Sequence, residues 1–155
     1  ALMRLPLIWK PAGNTQASSI AAPVGHLDLA STFCEIADIE VPDYCQGQPL
    51  PRTNAQAESQ NRDCVLTEWD SEHGPIDMHL ASIYEQSGWL ATRYRESTLY
   101  DGSEGELYNM SEDPQQTVNL WTDPSSKGIR DDLVDLLEAR LPKTRSPRLE
   151  RQAPV

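Results

Sequence analysis

A group of titratable side chains in the middle of the chain has the residue types that chemistry requires. Asp70, Glu72 and His73 are followed, after Gly-Pro, by Asp77 and His79. Carboxylates and imidazoles at such short spacing can bind a divalent metal or act in general acid–base catalysis. Acidic residues in loops are more often only solvated. A metal or acid–base role is therefore one hypothesis for this group, and a solvated surface loop is the other.

Contact with a substrate is a second use for the same stretch. Trp69 offers a flat apolar face, and the imidazoles of His73 and His79 exchange hydrogen bonds near neutral pH. Loops carried on a rigid sheet commonly supply binding residues. We therefore predict a loop over residues 69–78, with Trp69, His73 and His79 as candidate substrate-binding residues. A plain surface connection is the alternative.

Short strands must hold this loop in place. Apolar, β-branched and aromatic runs bounded by turn residues predict strands at 64–69, 79–84, 88–94 and 106–110, with a short additional strand at 97–100. The connections between them are short, as hairpins require. Consecutive strands joined in this way favour an antiparallel sheet.

A helix near the end of the chain should cover one face of that sheet. Its apolar side chains recur at helical spacing and comprise Ile129, Leu133, Leu136, Leu137 and Leu141. Such a stripe must be buried, and the sheet is the available surface. The Arg- and Pro-rich residues 143–155 have no core pattern, so we predict a mobile tail.

The N-terminal part predicts a strand, a helix and a boundary. Residues 4–11 form a short apolar run closed by proline, which favours a buried strand. Residues 24–38 predict a helix that begins at an Asp28 N-cap. The apolar face of this helix comprises Leu29, Phe33, Ile36 and Ala37. Residues 52–63 are polar and patternless, which is typical of a boundary between two units.

The charge balance excludes two classes of partner. The 155 residues include 24 acidic and 13 basic side chains, which gives a net charge of −11. Such a surface repels nucleic acid and anionic membranes, so neither is expected as a partner. No apolar run approaches the roughly 20 residues that cross a bilayer. A signal-peptide pattern is also missing, although the start Ala-Leu-Met-Arg reads as though cut from a longer chain.

The three cysteines, Cys34, Cys45 and Cys64, are odd in number and widely spaced. They form neither a C-x-x-C pair nor a zinc ligand set. Reduced, partly buried thiols in a cytoplasmic protein are the favoured interpretation. One disulfide and a periplasmic location stay open.

Four stretches, in this order, resemble signatures of the sulfatase family of the alkaline-phosphatase-like superfamily. Residues 4–8 read Arg-x-Pro-Leu-Ile, residues 24–38 are similar to the family helix Val-Asp-Leu-x-Pro-Thr-Leu-Leu-x-x-Ala-Gly, and residues 46–51 follow Gly-x-Ser-Leu-x-Pro. Residues 106–120 carry Glu-Leu-Tyr, Asp-Pro and Asn-Leu. The departures from the family pattern are Ser31, Asp38, Pro49, Asn109 and Gln116. Because Asp38 replaces a glycine, a differently shaped helix end is expected.

The resemblance implies the C-terminal portion of a sulfatase, which hydrolyses sulfuric esters with a formylglycine nucleophile and a divalent cation, usually calcium. In the family the nucleophile is a cysteine within Cys-x-Pro-x-x-Arg, and no cysteine here has proline two residues on. The family's metal ligands precede the strand that residues 4–11 resemble, whereas Asp70 to His79 follow it. The resemblance therefore assigns this chain no catalytic residue, no metal ligand and no bound cofactor.

The fold class implied is α+β. Residues 1–60 would be the last strand, helix and linker of the α/β catalytic domain, and residues 61–142 a subdomain of about four antiparallel strands with one packed C-terminal helix. The expected partners are the N-terminal catalytic part of the same polypeptide and a sulfate ester substrate. Two alternatives stay open: a fragment of a related phosphonate or phosphate ester hydrolase, and an autonomous non-catalytic binding domain. A broad exposed apolar face would argue against the autonomous domain.

The isolated chain is expected to hydrolyse no aryl sulfate above background, because it holds no sulfate-accepting nucleophile. The measurement is incubation with a chromogenic sulfate ester and calcium. Calcium-dependent turnover that disappears when Cys34, Cys45 or Cys64 is replaced would contradict this expectation.

Overall fold

The computed structural model describes residues 5–10, 12–13 and 17–142. Its elements, in chain order, are α1 (Leu27–Ala37), α2 (Asn54–Ser59), β1 (Cys64–His73), β2 (Ile76–Glu85), β3 (Trp89–Tyr94), β4 (Gly105–Asn109), a 3₁₀ turn (Pro124–Ser126) and α3 (Lys127–Arg140). The tail at 143–155, predicted to be mobile, lies outside the described residues. Among the helices of those ranges, none is long and apolar enough to cross a membrane.

The predicted antiparallel sheet is confirmed. Its four strands follow the order β1-β2-β3-β4, and each is antiparallel to the next. β1 and β2 pair without a bulge from Cys64 opposite Glu85 to His73 opposite Ile76. Because successive side chains of a strand point to opposite faces, this register decides the face on which every hairpin residue lies.

The predicted packing of the last helix on the sheet is also confirmed. The buried core joins Leu133, Leu137 and Leu141 from α3 and its C-terminal end to Ala81, Ile83, Ala91 and Leu107 of the sheet, together with Trp121. Leu136 is partly buried beside this core, whereas Ile129 in the first turn is 38% exposed. The buried stripe is therefore narrower than the sequence pattern indicated.

The free edge of β4 is covered by the segment that follows it. Asn119 Oδ1 accepts hydrogen bonds from the Leu107 N–H (3.0 Å) and the Trp121 N–H (2.9 Å), and Asn119 Nδ2 donates to the Gly105 carbonyl (3.0 Å). The Leu120 N–H donates to the Leu107 carbonyl at 2.9 Å. These bonds satisfy backbone groups that an uncovered edge strand would leave open to pairing with another chain.

Two predicted strands are not formed. Residues 5–10 are irregular, and no strand of the described ranges pairs with them; Ile8 is 94% exposed. A strand needs a neighbouring strand to pair with its N–H and C=O groups, and the described ranges supply no such strand for residues 5–10. Residues 97–100 bend back so that the Ser97 N–H donates to the Tyr100 carbonyl (2.9 Å), which replaces pairing with the sheet.

Residues 52–63, which the sequence indicated to be an unstructured boundary, are ordered in the structure. They contain α2, which Thr53 Oγ1 caps, and they include Arg62, whose side chain is 7% exposed. The Arg62 guanidinium donates to Asp28 Oδ2 at 2.8 Å and to the carbonyls of Gln48 and Pro49, both at 2.9 Å. One side chain thus links α1, the segment after it and the start of β1. The assignment of residues 1–60 and 61–142 to separate units stays a prediction.

Both ends of α1 differ from expectation. The N-cap is His26, which makes no side-chain capping bond, so the prediction of an Asp28 N-cap was wrong. Asp28 lies in the first turn, and its Oδ2 accepts from the Gly25 N–H at 2.9 Å, so the carboxylate reaches back to the donor from inside the helix. Asp38 takes the left-handed conformation (φ 54°), so the helix ends in the shape that glycine usually provides.

The buried side of α1 is polar. Its buried side chains are Asp28, Ser31 and Thr32. Ser31 Oγ donates to the Gly47 carbonyl at 2.7 Å, and the Leu50 N–H donates to Thr32 Oγ1 at 2.8 Å. Gly47 approaches so closely that a Cβ there would lie 2.2 Å from the Leu27 carbonyl oxygen. Of the predicted apolar face of α1, Phe33, Ile36 and Ala37 are exposed, whereas Leu29 is half-buried.

Leu137→Ala is expected to lower the free energy of unfolding by about 2–5 kcal/mol, because Leu137 is fully buried between α3 and the sheet. Ile129→Ala is the matched control on the same helix and should cost less than about 0.5 kcal/mol. Urea unfolding followed by circular dichroism measures both. Equal costs at the two positions would contradict this packing.

Candidate functional site

Residues 69–78, predicted as a loop, form the distal half of the β1–β2 hairpin. β1 continues to His73 and β2 begins at Ile76, so only Gly74 and Pro75 make the turn. Gly74 has φ +62°, as the first central position of a two-residue II′ turn requires. The loop prediction was wrong because acidic residues are rare in strands, and here the acids alternate with other residues along each strand.

The distal half of this hairpin has two unlike faces. One face, on the α3 side of the sheet, carries Glu68, Asp70, Glu72, Asp77 and His79, and is called the acidic face. The other, called the aromatic face, carries Trp69, Ser71, His73, Ile76, Met78 and Leu80, with Tyr94 of β3 beside them. None of the aromatic-face side chains is an acid, a lysine or an arginine. The two candidate histidines therefore lie on opposite faces.

His79 is held between two carboxylates on the acidic face. Its Nδ1 lies 2.8 Å from Asp70 Oδ1, and its Nε2 lies 3.1 Å from Asp77 Oδ2. The bond with Asp70, followed by the bond with Asp77, raises the pKa of His79, because both carboxylates favour the imidazolium. Both ring nitrogens are occupied, so His79 has no nitrogen left for another ligand in this arrangement.

Thr98 holds the carboxylate of Asp77, the second partner of His79, in place. The Thr98 N–H donates to Asp77 Oδ1 at 2.7 Å, and the Asp77 N–H donates to Thr98 Oγ1 at 2.8 Å. The Thr98 bonds, followed by the bond to His79, lower the pKa of Asp77 to about 2. The bend at 97–100 is therefore tied to the hairpin by side chains and not by strand pairing.

A row of apolar and aromatic side chains crosses the aromatic face. The register places Trp69 opposite Leu80, and Leu80 opposite Tyr94. The Tyr94 ring lies 4.6 Å from the Tyr100 ring, and its hydroxyl donates to Glu106 Oε1 at 2.6 Å. Burial, followed by that hydrogen bond, raises the pKa of Tyr94, so the hydroxyl keeps its proton. Trp69 is 61% exposed at the outer end of the row.

The N-terminal segment lies on the same side of the sheet as the aromatic face. Val65 is two and four residues before Thr67 and Trp69 in β1, so it points to the same side as Trp69. A Cβ placed at Gly25 would meet Val65 Cγ2 at 3.0 Å, which shows that the residues before α1 contact this side. α3 covers the opposite side, where the acidic face lies.

The described part of the chain offers no metal site. Within residues 5–10, 12–13 and 17–142, no group of three or more His, Cys, Asp or Glu side chains is arranged to hold an ion. Cys34, Cys45 and Cys64 are all free and partly buried. The acidic face therefore consists of a histidine between carboxylates and not of a ligand set.

The fold and the comparisons with known proteins define this chain as the C-terminal part of a sulfatase, which confirms the resemblance. The chain belongs to the family described as N-sulphoglucosamine sulphohydrolase, C-terminal, which matches residues 1–143.

Two curated sulfatases are similar to the chain. It is 28% identical over 135 residues to a Delta 4,5-hexuronate-2-O-sulfatase of Bacteroides thetaiotaomicron, covering 83% of this chain and 26% of that protein. It is 27% identical over 149 residues to the uncharacterized sulfatase YidJ of Escherichia coli K12, covering 94% of this chain and 28% of that protein. The chain thus spans about a quarter of the length of these relatives.

Solved structures show the same fold. A crystal structure of a Bacteroides thetaiotaomicron VPI-5482 protein described as a sulfatase superposes with a TM-score of 0.60 at 28% identity, over 72% of this chain and 23% of that chain. The structure of BT4656 in complex with its substrate D-glucosamine-2-N,6-O-disulfate superposes with a TM-score of 0.54 at 22% identity, over 72% and 22% of the two chains. At 22% identity, the similarity to BT4656 supports only a shared fold.

Sequence reasoning missed three residues that shape this region: Tyr94, Thr98 and Arg62. Tyr94 had no signal in its spacing, because its place in the row depends on the two-residue turn at Gly74 and Pro75 and on the pairing of Leu80 with Tyr94. Thr98 and Arg62 had none, since each acts through a side-chain bond to an acid distant in sequence, 21 residues away for Thr98 and 34 for Arg62.

Asp70→Asn is expected to lower the pKa of His79, because it removes the larger of the two interactions that favour the imidazolium. NMR titration of the His79 ring measures this, with Glu112→Gln, outside the hairpin, as the control. The hairpin gains stability from the charged His79 below the ordinary histidine pKa of about 6.5. That gain is lost as the pH rises through the raised pKa of the folded state. An unchanged titration midpoint in Asp70→Asn would contradict this arrangement.

Proposed function

We propose that this chain acts together with an N-terminal catalytic part of a sulfatase to hydrolyse a sulfate ester of a sugar. The exposed apolar side of α1 is the observation that carries the proposal. The relatives supply the class of reaction, since the chain spans about a quarter of their length and the remaining three quarters have no counterpart in it.

The exposed apolar side of α1 consists of Phe33 and Ile36, which lie one turn apart and are 63% and 59% exposed. Ile39, just beyond the end of the helix, is 60% exposed. Neighbouring exposed apolar side chains of this kind are typical of a site of contact with another protein surface. A stand-alone binding domain would bury this stripe, so the exposed face argues against the autonomous alternative.

The nucleophile and the cation of the reaction are assigned to the catalytic part. The formylglycine and the calcium or other divalent cation that the family implies do not fit residues of this chain. No cysteine here precedes a proline by two residues, and the described ranges hold no metal ligand set. This chain's contribution is therefore to complete the fold and to shape the approach to the site.

The substrate class follows from the names of the matched proteins. The family is described by N-sulphoglucosamine, and the Bacteroides relative acts as a Delta 4,5-hexuronate-2-O-sulfatase. Both names specify a sulfated sugar. We extend that class to this protein, with the β1–β2 hairpin, which bears Trp69, His73 and His79, beside the path of the substrate. A phosphonate or phosphate ester hydrolase of the same superfamily is the remaining alternative.

Phe33→Lys is expected to abolish sulfatase activity in the longer polypeptide that joins this chain to a catalytic part, because it places a charge in the contact between them. In the isolated chain the same change should alter the free energy of unfolding by less than about 0.5 kcal/mol, since Phe33 is exposed there. The measurements are kcat/KM with a chromogenic sulfate ester and urea unfolding.

Val118→Lys is the matched control, because Val118 is 60% exposed but lies outside α1. It should leave kcat/KM unchanged. Equal activity of the Phe33→Lys and Val118→Lys polypeptides would contradict a contact between the apolar side of α1 and the catalytic part. Turnover of phosphate or phosphonate esters in place of sulfate esters would assign the chain to the sister hydrolases.

A further inference from the structure

The structure points to the aromatic face of the β1–β2 hairpin as a platform for the ring of a sulfated sugar, with the acidic face excluded from substrate contact. We infer this from how charge is divided between the two faces. The inference rests on the proposed function, and it chooses between the two histidines that the sequence offered.

Charge separates the two faces. A sulfated sugar is an anion, and four carboxylic side chains lie on the acidic face, namely Glu68, Asp70, Glu72 and Asp77, where they outnumber the cationic side chains Arg93 and His79 of the same face. Like charges brought close together at a surface repel, and the chain as a whole carries a net charge of −11. The aromatic face contributes no acidic side chain between Trp69 and Leu80, and the carboxylate beside its row, that of Glu106, accepts the hydrogen bond of the Tyr94 hydroxyl at 2.6 Å. An anionic sugar is therefore tolerated on the aromatic face and opposed on the acidic face.

The two candidate histidines lie on different faces, and only one has both ring nitrogens occupied by carboxylates. Both ring nitrogens of His79 are taken by Asp70 and Asp77 at 2.8 and 3.1 Å. His73 lies on the other face, two residues after Ser71 and four after Trp69. Recruiting His79 for substrate would break a bond to a carboxylate, whereas His73 carries no such cost.

The row of Trp69, Leu80 and Tyr94 has the chemistry that sugar rings require. One side of a pyranose presents C–H groups, which pack on flat apolar and aromatic surfaces, while its hydroxyls need hydrogen-bonding partners at the rim. Trp69 is 61% exposed and is held in a regular strand, so its indole is presented on a rigid element. Ser71 and His73 continue the same face toward the hairpin tip and supply polar atoms there.

The position of this face relative to the rest of the chain is consistent with a substrate path. The segment before α1 contacts the side of the sheet on which Trp69 lies, as Gly25 against Val65 shows. α1 carries the apolar face that we assign to the catalytic part. The aromatic face therefore lies on the side of the sheet that the segment before α1 contacts, and the acidic face lies on the side that α3 covers.

The test is an NMR titration of the ¹⁵N-labelled 155-residue chain with N-acetylglucosamine 6-sulfate, which is an anion, up to tens of millimolar, where dissociation constants weaker than about 1 mM are measurable. Saturable shifts are expected at the Trp69 indole N–H and at the amides of Ser71, Leu80 and Tyr94. N-acetylglucosamine, which is uncharged, and sodium sulfate are the matched probes. Shifts of the same residues by sodium sulfate alone would overturn the platform, because they would indicate an anion site without sugar recognition.

Variants separate the two faces. Trp69→Ala is expected to weaken binding about tenfold or more, and Trp69→Phe to retain part of it, because the ring and not the indole N–H carries the contact. His79→Gln and Val118→Ala should leave the affinity unchanged. Absence of saturable shifts in the wild-type chain, shifts confined to the acidic face, or loss of binding in His79→Gln would each overturn the inference.

The outcome is distinguishable from failure of the proposed function. If the longer polypeptide hydrolyses sulfate esters while the chain binds no sugar at Trp69, the platform fails and the function stands. If the chain binds the sugar at Trp69 while the polypeptide acts on phosphate esters, the platform stands and the function fails.

Discussion

Packing of α3 on the sheet is the interaction on which the rest of the structure depends. Leu137 is fully buried against a sheet face that includes Ile83 and Leu107. A slip of one residue between paired strands would turn this apolar set to the other face, so burial under α3 fixes the register. The register in turn places Trp69 and His79 on opposite faces of the hairpin. The division of charge at the hairpin is thus a consequence of core packing elsewhere.

A buried ion pair joins the N-terminal segment to this sheet. The side chains of Asp28 and Arg62 are 10% and 7% exposed, and both are further satisfied by backbone groups. Removing one partner of such a pair costs roughly 3–5 kcal/mol, because the other charge stays buried without compensation. The polar side of α1 is therefore bound to the segment that leads into β1. On the other side of the helix, Phe33 and Ile36 are exposed.

Sequence reasoning found the elements whose pattern is local. The helix at Leu133 and Leu137 and the strands around Ile83 and Leu107 carry their periodicity within a few residues of themselves. It missed the strand character of Asp70 and Asp77, because propensity disfavours acids in strands and the stabilising partners, His79 and Thr98, act across the fold. It also assigned residues 4–11 to a strand from an apolar run closed by proline and from the family resemblance, although strand pairing depends on a neighbour that neither can supply. Thus the sheet and its helix were predictable, while the division of the candidate site into two faces required the register.

The signature that identified the family does not belong to a catalytic site. Asp113 accepts hydrogen bonds from the N–H groups of Thr117 (2.7 Å) and Val118 (2.9 Å), which shapes the turn after β4. Asn119 then bridges Leu107, Gly105 and Trp121 along the edge of β4. Spacing in this motif is set by how far the chain must travel to return to that edge, so it marks a fold and carries no chemistry of its own. The likeness to sulfatases in this segment therefore rests on how the chain returns to the edge of β4.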